Sequence, residues 1–145
     1  MNDPNARALS KRIDEFESEF PQCDPRYAGK AYRHGWYTSP DGQAKSNSSE
    51  SDSHYNVIAH FDHETGTVDR YSCGQAIVSE ALFVPASADA AEGEGYLLTV
   101  VTSLETRSSS LYIFDALNVG NGPLAKAHLS HYIPVGFHGT FRPAA

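Results

Sequence analysis

Apolar and polar positions alternate in short runs from Ala31 onward, and turn residues interrupt the runs at regular intervals. Residues 32–38 are rich in aromatics. Residues 55–62 (YNVIAHFD) are followed by the polar turn Glu64, Thr65, Gly66 and then by a second β-prone run, 68–72, which predicts a hairpin. Leu82, Phe83 and Val84 form a short apolar run. Residues 96–103 and 110–115 flank the polar stretch 104–109 and predict another hairpin. A last strand, 124–129, precedes Ile133, Pro134 and a histidine set between glycines in Gly136, Phe137, His138, Gly139. Short strands at this spacing predict an all-β fold: a sandwich, a barrel or a portion of a propeller.

Two regions depart from the pattern. The first twenty residues can start helically, but residues 12–20 sustain no long apolar stripe, and Pro21 and Pro25 end any helix there. Residues 39–53 (SPDGQAKSNSSESDS) contain no large apolar side chain. Such a stretch buries too little surface to offset its ordering entropy, so it is expected to be a flexible surface loop between two strands. The first 38 residues are too few for a core of their own, so residues 1–145 are expected to form a single region.

Composition narrows the function classes. Hydrophobic residues make up 40% and charged residues 20%, as in a globular chain rather than a disordered one. With 11 Lys and Arg against 18 Asp and Glu, the formal net charge is −7. No clustered basic surface is visible, which argues against a nucleic-acid partner. The longest nearly apolar run, 96–104, is about half of the roughly 20 residues a membrane-spanning helix needs. The start Met1, Asn2, Asp3, Pro4 lacks the basic-then-apolar pattern of a signal peptide, so a cytoplasmic location is expected. Cys23 and Cys73 are fifty residues apart in sequence without CxxC spacing, and are expected as reduced thiols packed like small apolar groups.

Most titratable residues have an ordinary reading. His54, His60 and His63 are expected as solvated residues around a turn, since His60 and His63 point to opposite faces of a continuing strand. His34, His128 and His131 are expected at the surface or satisfied by local partners. The acidic run Asp14, Glu15, Glu17, Glu19 reads as a solvated face. No Ser/His/Asp triad, phosphate-binding glycine loop or paired-carboxylate spacing stands out.

Four segments in order carry a more specific signal. The first runs from Glu19, Phe20, Pro21, Gln22 and Cys23 through Asp24, Pro25, Arg26, Tyr27, Ala28 and Gly29 to Ala31, Tyr32, Arg33. The second is 62–71. The third is Ser79, Glu80, Ala81, Leu82, Phe83, Val84, Pro85, leading to Glu94, Gly95, Tyr96. The fourth joins Asp115 and Ala116 to Gly122, Pro123, Leu124, Ala125 and then to residues 133–139. Together they resemble the C-terminal part of the carotenoid oxygenase family, which includes lignostilbene-cleaving dioxygenases.

The resemblance implies a seven-bladed β-propeller with Fe(II) on its axis, of which this chain supplies about the last two blades. It also implies oxidative cleavage of a carbon–carbon double bond in a carotenoid, apocarotenoid or stilbene-type substrate with O2. Four histidines hold the metal in the family, and glutamates orient three of them. Residue by residue, His138 matches the last iron ligand and Glu80 the glutamate that holds it. Glu19 matches the glutamate that orients a ligand histidine lying upstream of this region. No catalytic residue beyond the metal site is implied.

A carboxylate on the far N–H of a ligating imidazole fixes its tautomer and ring orientation, which suits the pairing of Glu80 with His138. Ala81, Ala86 and Gly93 depart from the family pattern and suggest looser constraint on the blade surface. One imidazole alone does not hold iron, so the isolated chain is expected to be inactive, and the implied partner is the remaining, N-terminal part of the propeller. A non-catalytic β-rich module that binds a partner through open sheet edges is the competing expectation.

Overall fold

A computed structural model describes residue 7 and residues 10–15, 17–41 and 55–143. The described residues form nine strands: β1 (Glu19–Cys23), β2 (His34–Ser39), β3 (Val57–Asp62), β4 (Thr67–Ser72), β5 (Ala76–Val78), β6 (Leu82–Pro85), β7 (Gly95–Ser103), β8 (Ser109–Asp115) and β9 (Ala125–His128). The first four make an antiparallel meander in the order β1-β2-β3-β4. The second sheet runs β5-β7-β8-β9, and β6 continues along the same side of β7 as β5.

The two sheets share one core, and the central strands β2 and β3 are buried along their whole length. Trp36 and Ile58 of the first sheet meet Val78, Phe83, Leu97, Val101 and Phe114 of the second. Trp36 lies flat on Phe83, with ring centroids 4.6 Å apart and planes 7° apart. Its indole N–H donates to the carbonyl of Ala116 at 2.7 Å, so the one polar atom of the largest buried side chain is satisfied. Fully burying such a side chain is worth about 2–3 kcal/mol. A smaller cluster of Tyr37, Ala59 and Phe61, flanked by Val68, occupies the other face of the first sheet.

Ionic contacts set the ends of the strands. The Arg33 guanidinium grips Asp62 through two parallel bonds of 2.9 and 2.7 Å, and Asp62 also accepts the backbone N–H of Glu64 at the β3–β4 turn. This fork, with the turn N–H groups, holds the Asp62 carboxyl well below the usual carboxylate range. Arg26 pairs with fully buried Asp24 and donates to the carbonyl of Ala90 at 2.9 Å, tying the exit of β1 to the loop before β7. Cys23 and Cys73 are free thiols. Burial beside the core pushes the Cys73 thiol up to about 12, which makes it unreactive.

Several expectations are revised. Pro21 sits within β1, which pairs only with β2 among the described residues, and it falls at the register shift of this edge strand, a place where a missing N–H is tolerated. Ser39, placed in the loop by composition, is a fully buried residue of β2, and the backbone N–H of Asp41 donates to Asn56 at 3.0 Å. The rest of the expected loop, 42–53, and His54 lie outside the described residues. His60 is not a solvated turn residue. It is buried at 7% exposure, packs on Trp36 and lies 3.0 Å from the ring of His34, Nε2 to Nδ1. His63, by contrast, is exposed as expected. Asp14 also leaves the solvated reading: its carboxylate is nearly buried, accepts from the Tyr37 hydroxyl and pairs with Arg70. Gly93 is tightly constrained rather than relaxed, with φ +78° and the space of a Cβ already taken by Leu117 and His34.

Candidate metal centre

Two interruptions of strand regularity build the site. In β1, Glu19 pairs with Thr38 and Gln22 with Trp36, so Phe20 and Pro21 together stand opposite Tyr37. This is a bulge, and its extra residue changes the parity of the strand. Glu19 and Gln22 would face opposite sides of a regular strand, yet they pair with Thr38 and Trp36, which share a side. The distortion is concentrated at Phe20, whose φ of +53° is in the left-handed region that non-glycine residues rarely adopt. The strain holds the Phe20 ring edge-on to two others: His138 at 5.7 Å and Phe137 at 6.3 Å.

The second interruption separates β5 from β6. Val78 pairs with Val101 and Leu82 with Leu98, so Ser79, Glu80 and Ala81 face only Thr99 and Val100. The Thr99 hydroxyl donates to the Ser79 carbonyl at 2.8 Å and replaces a lost ladder bond. Glu80 sits in this gap with its side chain 7% exposed. A buried carboxylate needs donors, and three converge on it. The Gln22 amide donates to Oε1 at 2.5 Å, His138 Nδ1 lies 3.3 Å from the same oxygen, and the backbone N–H of Gly139 donates to Oε2 at 2.9 Å.

Because an ionised carboxylate only accepts, the contact with His138 places the proton on Nδ1 and leaves the lone pair of a neutral ring on Nε2. The His138 side chain is 76% exposed. The arrangement fits one corner of a metal centre: an imidazole with its outer nitrogen free and its inner N–H tied to a carboxylate. Among the described residues no three His, Cys, Asp or Glu side chains gather into a fuller donor set. A cleft of ≈ 870 Å³ opens beside the corner, walled by Leu82, Phe83, Val84, Pro85 and Phe141 together with Gln22, Glu80 and His138. Its walls are mostly apolar.

The structure brings Glu80 and His138, the pair implied by the family resemblance, into contact. Glu19 makes no bond to His138. It lies on the exposed start of β1, lining a smaller pocket with Phe20, Tyr55, Val135, Gly136 and Phe137. Gln22 and Phe20 were not anticipated. Both lie in the first of the four motif segments, but a strand that seems broken by Pro21 gives no parity from which to orient them.

The chain resembles known proteins in both sequence and fold. The family model described as retinal pigment epithelial membrane protein (RPE65) matches residues 1–143. The lignostilbene-alpha,beta-dioxygenase isozyme III of Sphingomonas paucimobilis is 41% identical over 143 residues, which is 96% of this chain and 28% of that protein. The crystal structure of Pseudomonas brassicacearum lignostilbene dioxygenase superposes with a TM-score of 0.81 at 27% identity, covering 91% of this chain and 28% of that one. A cobalt-substituted apocarotenoid oxygenase from Synechocystis superposes at 0.78 with 26% identity, covering 91% and 26%. The chain thus spans a little over a quarter of the length of the relatives it matches. Among the described residues no helix is long and apolar enough to cross a membrane.

Proposed function

Because the chain belongs to the carotenoid oxygenase family, we propose that residues 1–145 are a single region of a nonhaem Fe(II) dioxygenase that cleaves a carbon–carbon double bond with O2. The two sheets are about two blades of the family's β-propeller. The observation that carries the reading is the Glu80–His138 contact, in which a buried carboxylate holds the inner nitrogen of an exposed imidazole. In this reading His138 supplies one iron ligand through Nε2, Glu80 fixes its tautomer, and Glu19 orients a ligand histidine contributed from outside this chain. Bound Fe(II) would supply a centre for activating O2 next to the substrate alkene. The apolar cleft beside His138 suits a hydrophobic polyene or stilbene. Among these classes the stilbene type is favoured, since the relative at 41% identity is named for lignostilbene.

The test uses the protein that carries the remaining propeller. It should bind stoichiometric iron and cleave a stilbene, and His138→Ala should abolish both. Full activity in the His138→Ala protein would overturn the assignment. The 145-residue chain alone, given Fe(II), should take up no stoichiometric metal and cleave neither a stilbene nor an apocarotenal.

A further inference from the structure

Of the three donors to Glu80, two come from the segment that the carboxylate is meant to position. His138 and Gly139 are neighbours in sequence, and a shift of that segment moves both together. Gln22 is the only donor to this carboxylate, among the described residues, that comes from elsewhere. It belongs to β1 of the first sheet, whereas Glu80 lies in the gap between β5 and β6 of the second. We infer that Gln22 is a positioning residue: it anchors the Glu80 carboxylate from the neighbouring sheet, so that one lone-pair direction of Oε1 is left for His138. The inference rests on the reading of His138 as a ligand and extends it to the residue that fixes the ligand's support.

Three observations converge on this role. The His138 contact, at 3.3 Å, is long and its ring is largely exposed, so His138 has little grip of its own on the carboxylate. Gln22 reaches Glu80 only because the bulge restores its facing toward the second sheet. The same bulge sets Phe20 edge-on to the His138 ring. An amide is also a neutral donor. It orients the carboxylate without cancelling the charge that the imidazole N–H needs.

The experiment reads the tautomer of His138 by nitrogen-15 NMR in the metal-free chain, above the ordinary histidine pKa of about 6.5. The unsubstituted chain should show a single form, protonated on Nδ1. Gln22→Met keeps the length of the side chain but removes the donor, and should lose that single form to a mixture. A single Nδ1–H form retained in folded Gln22→Met would overturn the inference. Should that variant not fold, hydrogen exchange of the Gln22 side-chain amide in the unsubstituted chain decides. Exchange slower than that of the exposed Gln75 amide supports the anchor, and equal exchange overturns it. This readout needs no metal, so it stands apart from the His138→Ala test of the ligand role. In the iron-loaded protein Gln22→Met should also weaken metal affinity by about 10-fold, the lower end for groups outside the ligand set.

Discussion

The carboxylate of Glu80 spans two consecutive residues of an otherwise exposed segment, taking His138 Nδ1 on one oxygen and the Gly139 N–H on the other. Glu80→Gln keeps this shape and reverses half of its polarity. The new amide must set an N–H group against either the Gly139 or the Gln22 donor. In the protein bearing the remaining ligands, iron affinity and stilbene cleavage should fall about 10–100-fold. Metal titration and steady-state kinetics measure the two effects, and unaltered affinity would contradict the assigned role.

His138 itself should be separable from stability. Its side chain is 76% exposed, so His138→Ala should change the unfolding free energy of the chain by no more than about 0.5 kcal/mol. Urea denaturation measures this. A large loss would mean that the residue is part of the packing rather than a ligand.

Trp36 is the opposite case. It is 1% exposed, stacked on Phe83 and bonded to the Ala116 carbonyl. Trp36→Ala should destabilise the chain by about 3–5 kcal/mol through lost burial and the cavity left behind. Equilibrium unfolding followed by far-ultraviolet circular dichroism tests the figure.

The buried pair of His34 and His60 should make stability depend on pH. Burial holds both imidazoles below their usual pKa and outweighs the opposing pull of Asp62, Glu92, Asp69 and Glu64, while Arg33 pushes the same way as burial. The folded state therefore prefers the neutral rings. The unfolded chain takes up protons first as pH falls through the ordinary value of about 6.5. Their contribution is complete above that value and declines below it, with a slope of up to about 1.4 kcal/mol per pH unit for each histidine. Denaturation midpoints across this range should show the decline, and His60→Gln should flatten it. Asp62 gives a separate loss at far lower pH. Its carboxyl is held low by Arg33, so its contribution is present above the ordinary carboxylate range and disappears as pH falls below it.

Two glycines with positive φ should differ sharply. At Gly66 an added Cβ meets nothing within 4 Å, so Gly66→Ala should cost only the backbone strain, about 1–2 kcal/mol. At Gly93 the same methyl falls 2.7 Å from Leu117 and 2.8 Å from His34, so Gly93→Ala should cost clearly more. Comparing the two thermal midpoints checks the order.

What could be read in advance follows from which interactions are local. The hairpins of β3 with β4 and of β7 with β8 were legible, because the alternation of their side chains and the turn between them lie in one stretch of sequence. The strand β1 was not, because Pro21 reads as a breaker and only the pairing with β2 reveals it as an edge residue beside a bulge. His60 was misjudged for a related reason: its burial depends on Trp36, Asp69 and His34, contributed by the strands on either side. The pairing of Glu80 with His138 was legible only through motif resemblance. Their 58-residue separation offers no periodicity to read. The Gln22 contact had no signal of its own.

The same separations bear on how the chain folds. Gln22 to Glu80 and Glu80 to His138 are each 58 residues apart. Each bond closes a long loop, and the entropy of closure is spent before the contact gives anything back. The hairpins can form early from near neighbours. The corner that presents His138 cannot, because it needs both sheets docked and the C-terminal segment laid across them. It is a product of completed folding rather than a nucleus for it, and a chain stalled before docking would carry all the right residues with no site among them.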